Sequence, residues 1–186
     1  MIHQNPVIDT PPVAQLTLTT ARLELRQPRR SDEGLLRHYA GDERVARMTR
    51  SIPHPLPPGA AAAFIDTARS ANRREDVWIL DGTRVGLGEV VGVLGLERLR
   101  DREGQSEIGY WIAPAFWNAG LASEAVSAVI EANPQGATSI MGSVFQDNPI
   151  SARVLTNAGF EYLGDAEAFC VSRGAIVPTW TYLRKI

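Results

Sequence analysis

Two short segments carry residue types at spacings from which chemistry could be built. The first is Trp117-Asn118-Ala119-Gly120-Leu121-Ala122, which follows the alternating run Glu107-Ile108-Gly109-Tyr110-Trp111-Ile112 and precedes a run of helical period. A strand, a glycine turn and a helix N-terminus in that order gather several backbone N–H groups around one concave point, where the helix dipole also favours an anion. A diphosphate fits such a point. Gly120 keeps a Cβ out of the phosphate's path and Ala122 is the other small residue there. The second segment runs from Asn148 to Phe160 and reads as a marked short helix, with Asn148 as N-cap, Pro149 at the first helical position and Gly159 as a left-handed stop. On local physics alone, the first segment is equally a loop before an amphipathic helix, and the second is equally a well-capped helix with no function.

The elements that must position these segments follow from periodicity. Leu18 and Leu23-Glu24-Leu25 alternate as a first strand, and Ser31 reads as the N-cap of a helix through Leu35, Leu36 and Tyr39. Residues 51–59 hold four prolines, so they predict a stiff loop, entering a second helix over about residues 60–73. Three strands in hairpin order follow: Val77 to Leu80, then a turn at Asp81-Gly82, Val90 to Leu96, and Glu107 to Ala113. After Pro114 the period changes to about 3.6, with Leu121, Ala125 and Val129 on one face up to Asn133-Pro134. Next come a strand from Thr138 to Phe145, the helix from Pro149 to Ala158, and a closing pair near Ala168–Ser172 and Thr179–Leu183.

Bulk properties exclude several classes. The chain has 186 residues, enough for one domain with a real core, read as residues 17–186 after a loosely held tail over 1–16 that contains Pro6, Pro11 and Pro12. A net charge of −2, from 19 basic and 21 acidic residues, argues against a nucleic-acid partner. No apolar run reaches the ~18–20 residues of a membrane span, and the N-terminus lacks the pattern of a secretory signal. Cys170 is the only cysteine, which excludes an internal disulfide and a thiolate-rich zinc site, so a cytoplasmic location is expected and no metal is. Val85-Gly86-Leu87-Gly88 lacks the third glycine and the following helix of a dinucleotide fingerprint.

The two segments, in this order and about thirty residues apart, resemble the GNAT superfamily of N-acetyltransferases, most closely its ribosomal-protein N-terminal (alanine) acetyltransferase branch. The resemblance runs from about Leu18 to the C-terminus. It rests on Glu107-Ile-Gly-Tyr-Trp-Ile, Trp117-x-x-Gly-x-Ala-Ser-Glu-Ala125 and Asn148-x-x-Ser-x-x-Val-Leu-x-x-x-Gly-Phe160, with Ser51-Ile-Pro-His-Pro before the second helix. It implies a single α/β domain with about four helices and a mixed, mostly antiparallel sheet of about seven strands, splayed between the fourth and fifth. It also implies acetyl-CoA as cosubstrate, a primary amine as acceptor, most closely a protein N-terminal α-amine, and a monomer or homodimer. An antibiotic or polyamine acetyltransferase and a non-catalytic CoA-binding module stay open as alternatives.

Carried over position by position, the resemblance places the CoA pyrophosphate on the amides of Asn118, Ala119, Gly120, Leu121 and Ala122. Ile112 offers backbone bonds to pantetheine and Asn148 binds the same arm. Ser151 stands close to the CoA sulfur as the acid, and Glu107 occupies a general-base position. There are departures from the pattern. Trp117 stands where the superfamily has Arg or Gln, and Ala119 and Asn157 stand where basic residues are frequent, with Arg153 as a partial substitute. Leu155 replaces the tyrosine that other members use as acid. Tyr110 and Trp111 read as packing residues, Trp117 as an anchor of its loop against the core, His54 as an inert histidine in a proline-rich loop that borders the acceptor site, and Cys170 as a small buried hydrophobe.

Overall fold

The computed structural model describes residues 15–186, so most of the expected tail lies outside the described residues. Its last part is docked: Gln15 Nε2 donates to the Val77 carbonyl and Trp78 Nε1 to that of Leu16, each at 2.7 Å. The elements are β1 (Leu18–Thr19), β2 (Glu24–Arg26), α1 (Glu33–Ala40), α2 (Glu43–Ala46), α3 (Ala60–Arg69), β3 (Glu75–Asp81), β4 (Gly92–Arg98), β5 (Gln105–Ile112), α4 (Leu121–Ala132), β6 (Ser139–Phe145), α5 (Pro149–Asn157), β7 (Glu161–Cys170) and β8 (Ala175–Lys185). They form one eight-stranded sheet in the order β1-β2-β3-β4-β5-β6-β8-β7, antiparallel throughout except for the parallel β5–β6 pair.

The sheet is covered on both faces, as alternation requires. Leu23, Leu25, Trp78, Leu80, Leu94, Leu96, Ile108 and Ile140 point to one side and pack against α4 and α5 through Leu121, Val126, Val129 and Leu155. Val77, Ile79, Val90 and Val93 point to the other, where α1 and α3 supply Leu36, Ala61 and Ile65. Burial of these apolar side chains is the main force that holds the helices on the two faces of the sheet.

Several boundaries differ from expectation for physical reasons. The expected first strand divides into β1 and β2, because the Thr20 amide donates to the Leu23 carbonyl at 2.8 Å and closes a tight turn. Ser31 caps nothing. Asp32 is buried instead and accepts from the Arg29 amide at 2.7 Å, while its carboxylate takes both Nη atoms of buried Arg26 at 2.9 and 2.8 Å. Arg26 Nε reaches Asp81 at 2.8 Å, so one guanidinium ties β2, the entry to α1 and the end of β3 together. Such a paired buried charge is satisfied only while both carboxylates are present. Helix α3 ends at Arg69 rather than at residue 73, because Ser70 is extended. Short α2, capped by Asp42, brings the α-helices among the described residues to five. The closing pair is longer than its sequence pattern indicates, extending over the whole of β7 and β8.

Candidate active site

β5 and β6 pair in register only from Gln105↔Ser139 to Ile108↔Gly142, and both then continue without pairing to each other, β5 still held by β4 and β6 by β8. This is the splay expected between the fourth and fifth strands of the sequence pattern, now β5 and β6 because the first strand is two. The Ala113 amide is turned toward β4, donating to Val91 at 2.9 Å. The period of two therefore turns the peptide groups of Tyr110 and Ile112 toward the opening. The Ile112 carbonyl expected to meet pantetheine is already engaged, accepting from Trp117 Nε1 at 2.6 Å. Trp117 is not anchored in the core: it is 44% exposed, held by that hydrogen bond and by the Arg44 guanidinium 5.8 Å from its ring centroid.

On the α4/α5 face of the opening lies the predicted anion point. Asn118 and Gly120 both adopt left-handed φ, 61° and 74°, which turns the chain sharply into α4. No side chain caps α4, so the first-turn amides after Gly120 carry no capping partner. Leu121 is buried as the core anchor of that turn, whereas Asn118, Ala119 and Gly120 are exposed and Ala122 is half-buried. Arg22, remote in sequence, braces the turn: Nη1 donates to the Ala119 carbonyl at 2.7 Å and Nε to Glu124 at 2.7 Å. Glu124 also accepts from the Thr20 hydroxyl and the Arg22 amide, at 2.6 and 2.8 Å. Burial alone would raise its pKa, but these hydrogen bonds and the Arg22 charge hold it below the ordinary value.

Helix α5 forms the other wall. Asn148 is its N-cap as read from sequence, and its side chain is committed to Ser151: Oδ1 accepts from the Ser151 amide at 3.3 Å and Nδ2 donates to Oγ at 3.2 Å. Tyr110 is more than packing. Its hydroxyl crosses the opening and donates to the Ser151 carbonyl at 3.0 Å, and burial raises its pKa further, so it stays a donor. Arg153 is exposed and makes no ion pair among the described residues, and Asn157 is exposed as well.

On the α1/α3 face the opening meets a cavity of about 600 Å³, bordered by Arg50, Phe64, Glu75, Glu107, Trp111 and Phe145. Glu107 stands at its floor, its carboxylate 2.8 Å from Arg50 Nη2. The Glu107 side chain is 16% exposed and that of Arg50 52%, so the arginine is the partner free to swing away. Glu75 points into the same cavity, and burial, then the charge of Glu97, raises its carboxyl pKa. Sequence reading missed both Arg50 and Glu75. The signal for Glu75 was available only through register, since Glu75, Glu97 and Glu107 are cross-strand partners on β3, β4 and β5. The proline-rich loop borders this cavity through Ser51, Ile52, Pro53 and Leu56. His54 is turned to the Gly41 carbonyl at 3.1 Å and does not border the cavity, and of its prolines only Pro53 does. Cys170 is fully buried, as expected of a small hydrophobe. Among the described residues no group of His, Cys, Asp and Glu is placed to hold a metal, and no helix is long and apolar enough to cross a membrane.

The parallel strand pair parts midway, with an uncapped helix N-terminus on one face and a carboxylate in a cavity on the other, an arrangement with room for an anionic ligand and a second small molecule on opposite sides of the opening. Residues 22–161 match the family described as acetyltransferase (GNAT) domain, and the chain belongs to that family. Its cosubstrate is acetyl-CoA and its reaction is acetyl transfer to a nitrogen. Among relatives, the uncharacterized N-acetyltransferase YoaA of Bacillus subtilis (strain 168) is 33% identical over 96 residues, 50% of this chain and 54% of its own. The chain thus matches about half the length of that relative. The uncharacterized N-acetyltransferase p20 of Bacillus licheniformis is 26% identical over 178 residues, 89% of this chain and 94% of its own. Three solved structures share the fold: the microcin C7 self-immunity acetyltransferase MccE with acetyl-CoA and AMP (TM-score 0.77, 14% identity, 90% of this chain and 94% of that one), the ribosomal-protein-S5-alanine acetyltransferase of Vibrio fischeri (0.74, 17%, 91% and 96%) and the spermidine N-acetyltransferase of Vibrio cholerae with CoA and spermine (0.74, 14%, 89% and 96%).

Proposed function

We propose that this acetyltransferase acts on the α-amine of a protein N-terminus that begins with a small residue. The observation that carries the reading is the placing of Glu107 on the cavity side of the opening, with the anion point on the other face. Cosubstrate and acceptor then approach from opposite faces and meet between β5 and β6. The pyrophosphate rests on the amides from Asn118 to Ala122, and the thioester lies in the opening beside α5. The amine nitrogen attacks the thioester carbonyl carbon, forming the C–N bond, and the C–S bond breaks to expel CoA thiolate. Glu107, released by Arg50, takes the proton lost from the amine, directly or through water, and the Ser151 hydroxyl meets the departing sulfur.

The acceptor follows from acid–base chemistry. A free α-amine has a pKa of about 7.7–8.0 and a lysine side chain about 10.4, so at about pH 7.5 roughly a third of α-amines are neutral against about one lysine in a thousand. A site with a single base at the reaction point is better matched to the α-amine. The fold is shared by a ribosomal-protein acetyltransferase, a spermidine acetyltransferase and a microcin self-immunity acetyltransferase, so the deciding experiment is a panel of N-terminal peptides, polyamines and aminoglycosides at about pH 7.5, with mass spectrometry locating the acetyl group. α-Acetylation of peptides ahead of every ε-amine is the expected result. Turnover confined to a polyamine or an aminoglycoside overturns the N-terminus reading.

A further inference from the structure

Gly109 lies two residues beyond Glu107 on β5, on the same face, immediately after the last β5–β6 pair at Ile108↔Gly142. Glycine within a strand is destabilising by roughly 0.5–1 kcal/mol relative to alanine, and it often marks a place where a ligand or another backbone comes close. The other glycines of the central strands have occupants within the protein. A Cβ on Gly95, the cross-strand partner of Gly109, would run into the Glu75 carboxylate; on Gly92 it would meet the Trp111 carbonyl oxygen; and on Gly142 it would lie 2.8 Å from a Leu155 methyl. Gly109 differs from all three. Its φ is outside the left-handed region, and a Cβ built there meets nothing within 4 Å. Neither backbone conformation nor internal packing calls for glycine at this position, and the space that a side chain would fill belongs to the cavity.

We propose that the bare backbone of Gly109 is the seat of the carbon that bears the acceptor amine, which makes Gly109 a determinant of acceptor specificity. This rests on the reading that the acceptor enters by the α1/α3 face. An amine within about 3 Å of the Glu107 carboxylate, close enough to give up its proton, has its next atom one step along the strand. That carbon is about 1.5 Å beyond the nitrogen and side chains on one face of a strand are about 6.6–6.8 Å apart, so an amine that meets Glu107 from the Gly109 side sets its carbon and substituent over Gly109, with Trp111 closing the far side. The substituent on that carbon is the first side chain of an acceptor peptide. A floor without a Cβ leaves room for hydrogen, methyl or hydroxymethyl there, and the neighbouring Trp111 ring rejects a branched or longer group.

The test compares Gly109→Ala and Gly109→Val with the wild type on peptides identical except for a first residue of Gly, Ala, Ser or Leu, alongside thermal stability and CoA affinity by calorimetry. Both variants are expected to fold and bind CoA as the wild type does, since a strand position with open space accepts a Cβ. An added methyl in a fitted pocket is worth about tenfold or more in kcat/KM. Gly109→Ala should therefore lose about tenfold on Ala and Ser peptides and much less on the Gly peptide, and Gly109→Val should lose most activity on all of them. An equal loss across the peptides in Gly109→Ala, or an unchanged kcat/KM in Gly109→Val, overturns the inference. If the wild type prefers a polyamine, the N-terminus reading falls separately, and the variants are scored on that polyamine. Its amine-bearing carbon is an unbranched CH2, so it should behave as the Gly peptide does, and an unchanged Gly109→Val would again overturn the assignment.

Discussion

The Tyr110 hydroxyl donates to the backbone carbonyl of Ser151 at 3.0 Å, joining β5 to α5 across the gap where β5 and β6 have parted. The parallel pair has no hydrogen bonds of its own there, so this side chain holds the width of the opening. Tyr110→Phe keeps the ring and removes the bond. The variant should lose about 1 kcal/mol of stability, the usual net value of one hydrogen bond, and should bind CoA several-fold more weakly as the α5 wall loosens. Chemical denaturation and calorimetry check the two effects, and unchanged values of both would deny Tyr110 that role.

Ser151→Ala separates catalysis from binding. A group that meets developing thiolate acts mainly in the transition state, so turnover should fall by about tenfold to a hundredfold with CoA affinity nearly unchanged. The Asn148 amide would then lack one acceptor, which loosens the start of α5 slightly. A loss confined to CoA affinity would make Ser151 a pantetheine ligand or a part of the helix cap.

Glu107→Gln should remove the base and leave CoA binding intact. Its effect depends on pH in a defined sense. An α-amine with a pKa of about 7.7–8.0 is mostly neutral by about pH 9, so the deficit in kcat/KM should be large near neutrality and shrink as the pH is raised. A deficit that is constant with pH would mean that Glu107 only positions Arg50 or the acceptor.

Glu75 yields a stability prediction with its own sign. Burial and the charge of Glu97 raise its folded-state pKa above the ordinary value of 4.5. A group raised in this way contributes stability that is present below the unfolded pKa and lost as the pH rises through the folded one. Glu75→Gln should therefore be more stable than the wild type near pH 7, and the difference should shrink as the pH is lowered through 4.5. Thermal melts across that range check it, and a variant less stable than the wild type at neutral pH would show that the carboxylate is needed.

What the sequence reveals of this site is its local part. Gly120 and the caps of α5 are written in neighbouring residues, so turn chemistry and helix signals find them. Strands β3 to β6 appear within a few residues of their bounds, because β3, β4 and β6 are short, mostly buried apolar runs bounded by turns and β5 begins with an alternation of buried and half-buried positions. Most of β7 is exposed on both sides and Gly164 shifts its register against β8, which leaves no period of two to read. Arg22 at the turn before α4, Arg50 on Glu107 and Tyr110 on Ser151 are all partnerships between residues distant in the chain. No local pattern encodes them, and they exist only once the sheet has formed.

In the proposed complex, acetyl-CoA enters by the α4/α5 face with its pyrophosphate at the turn before α4. Calorimetric titration of CoA into Gly120→Glu, beside Glu107→Gln as a control on the opposite face, tests this most directly. Gly120 has a φ of 74°, so any side chain there is strained, and a glutamate adds bulk and a like charge where the phosphates must lie. Folded Gly120→Glu should lose CoA binding by about a hundredfold or more, corresponding to two units of about 1.4 kcal/mol, with Glu107→Gln binding as the wild type does. Unchanged CoA affinity in folded Gly120→Glu would contradict this placement.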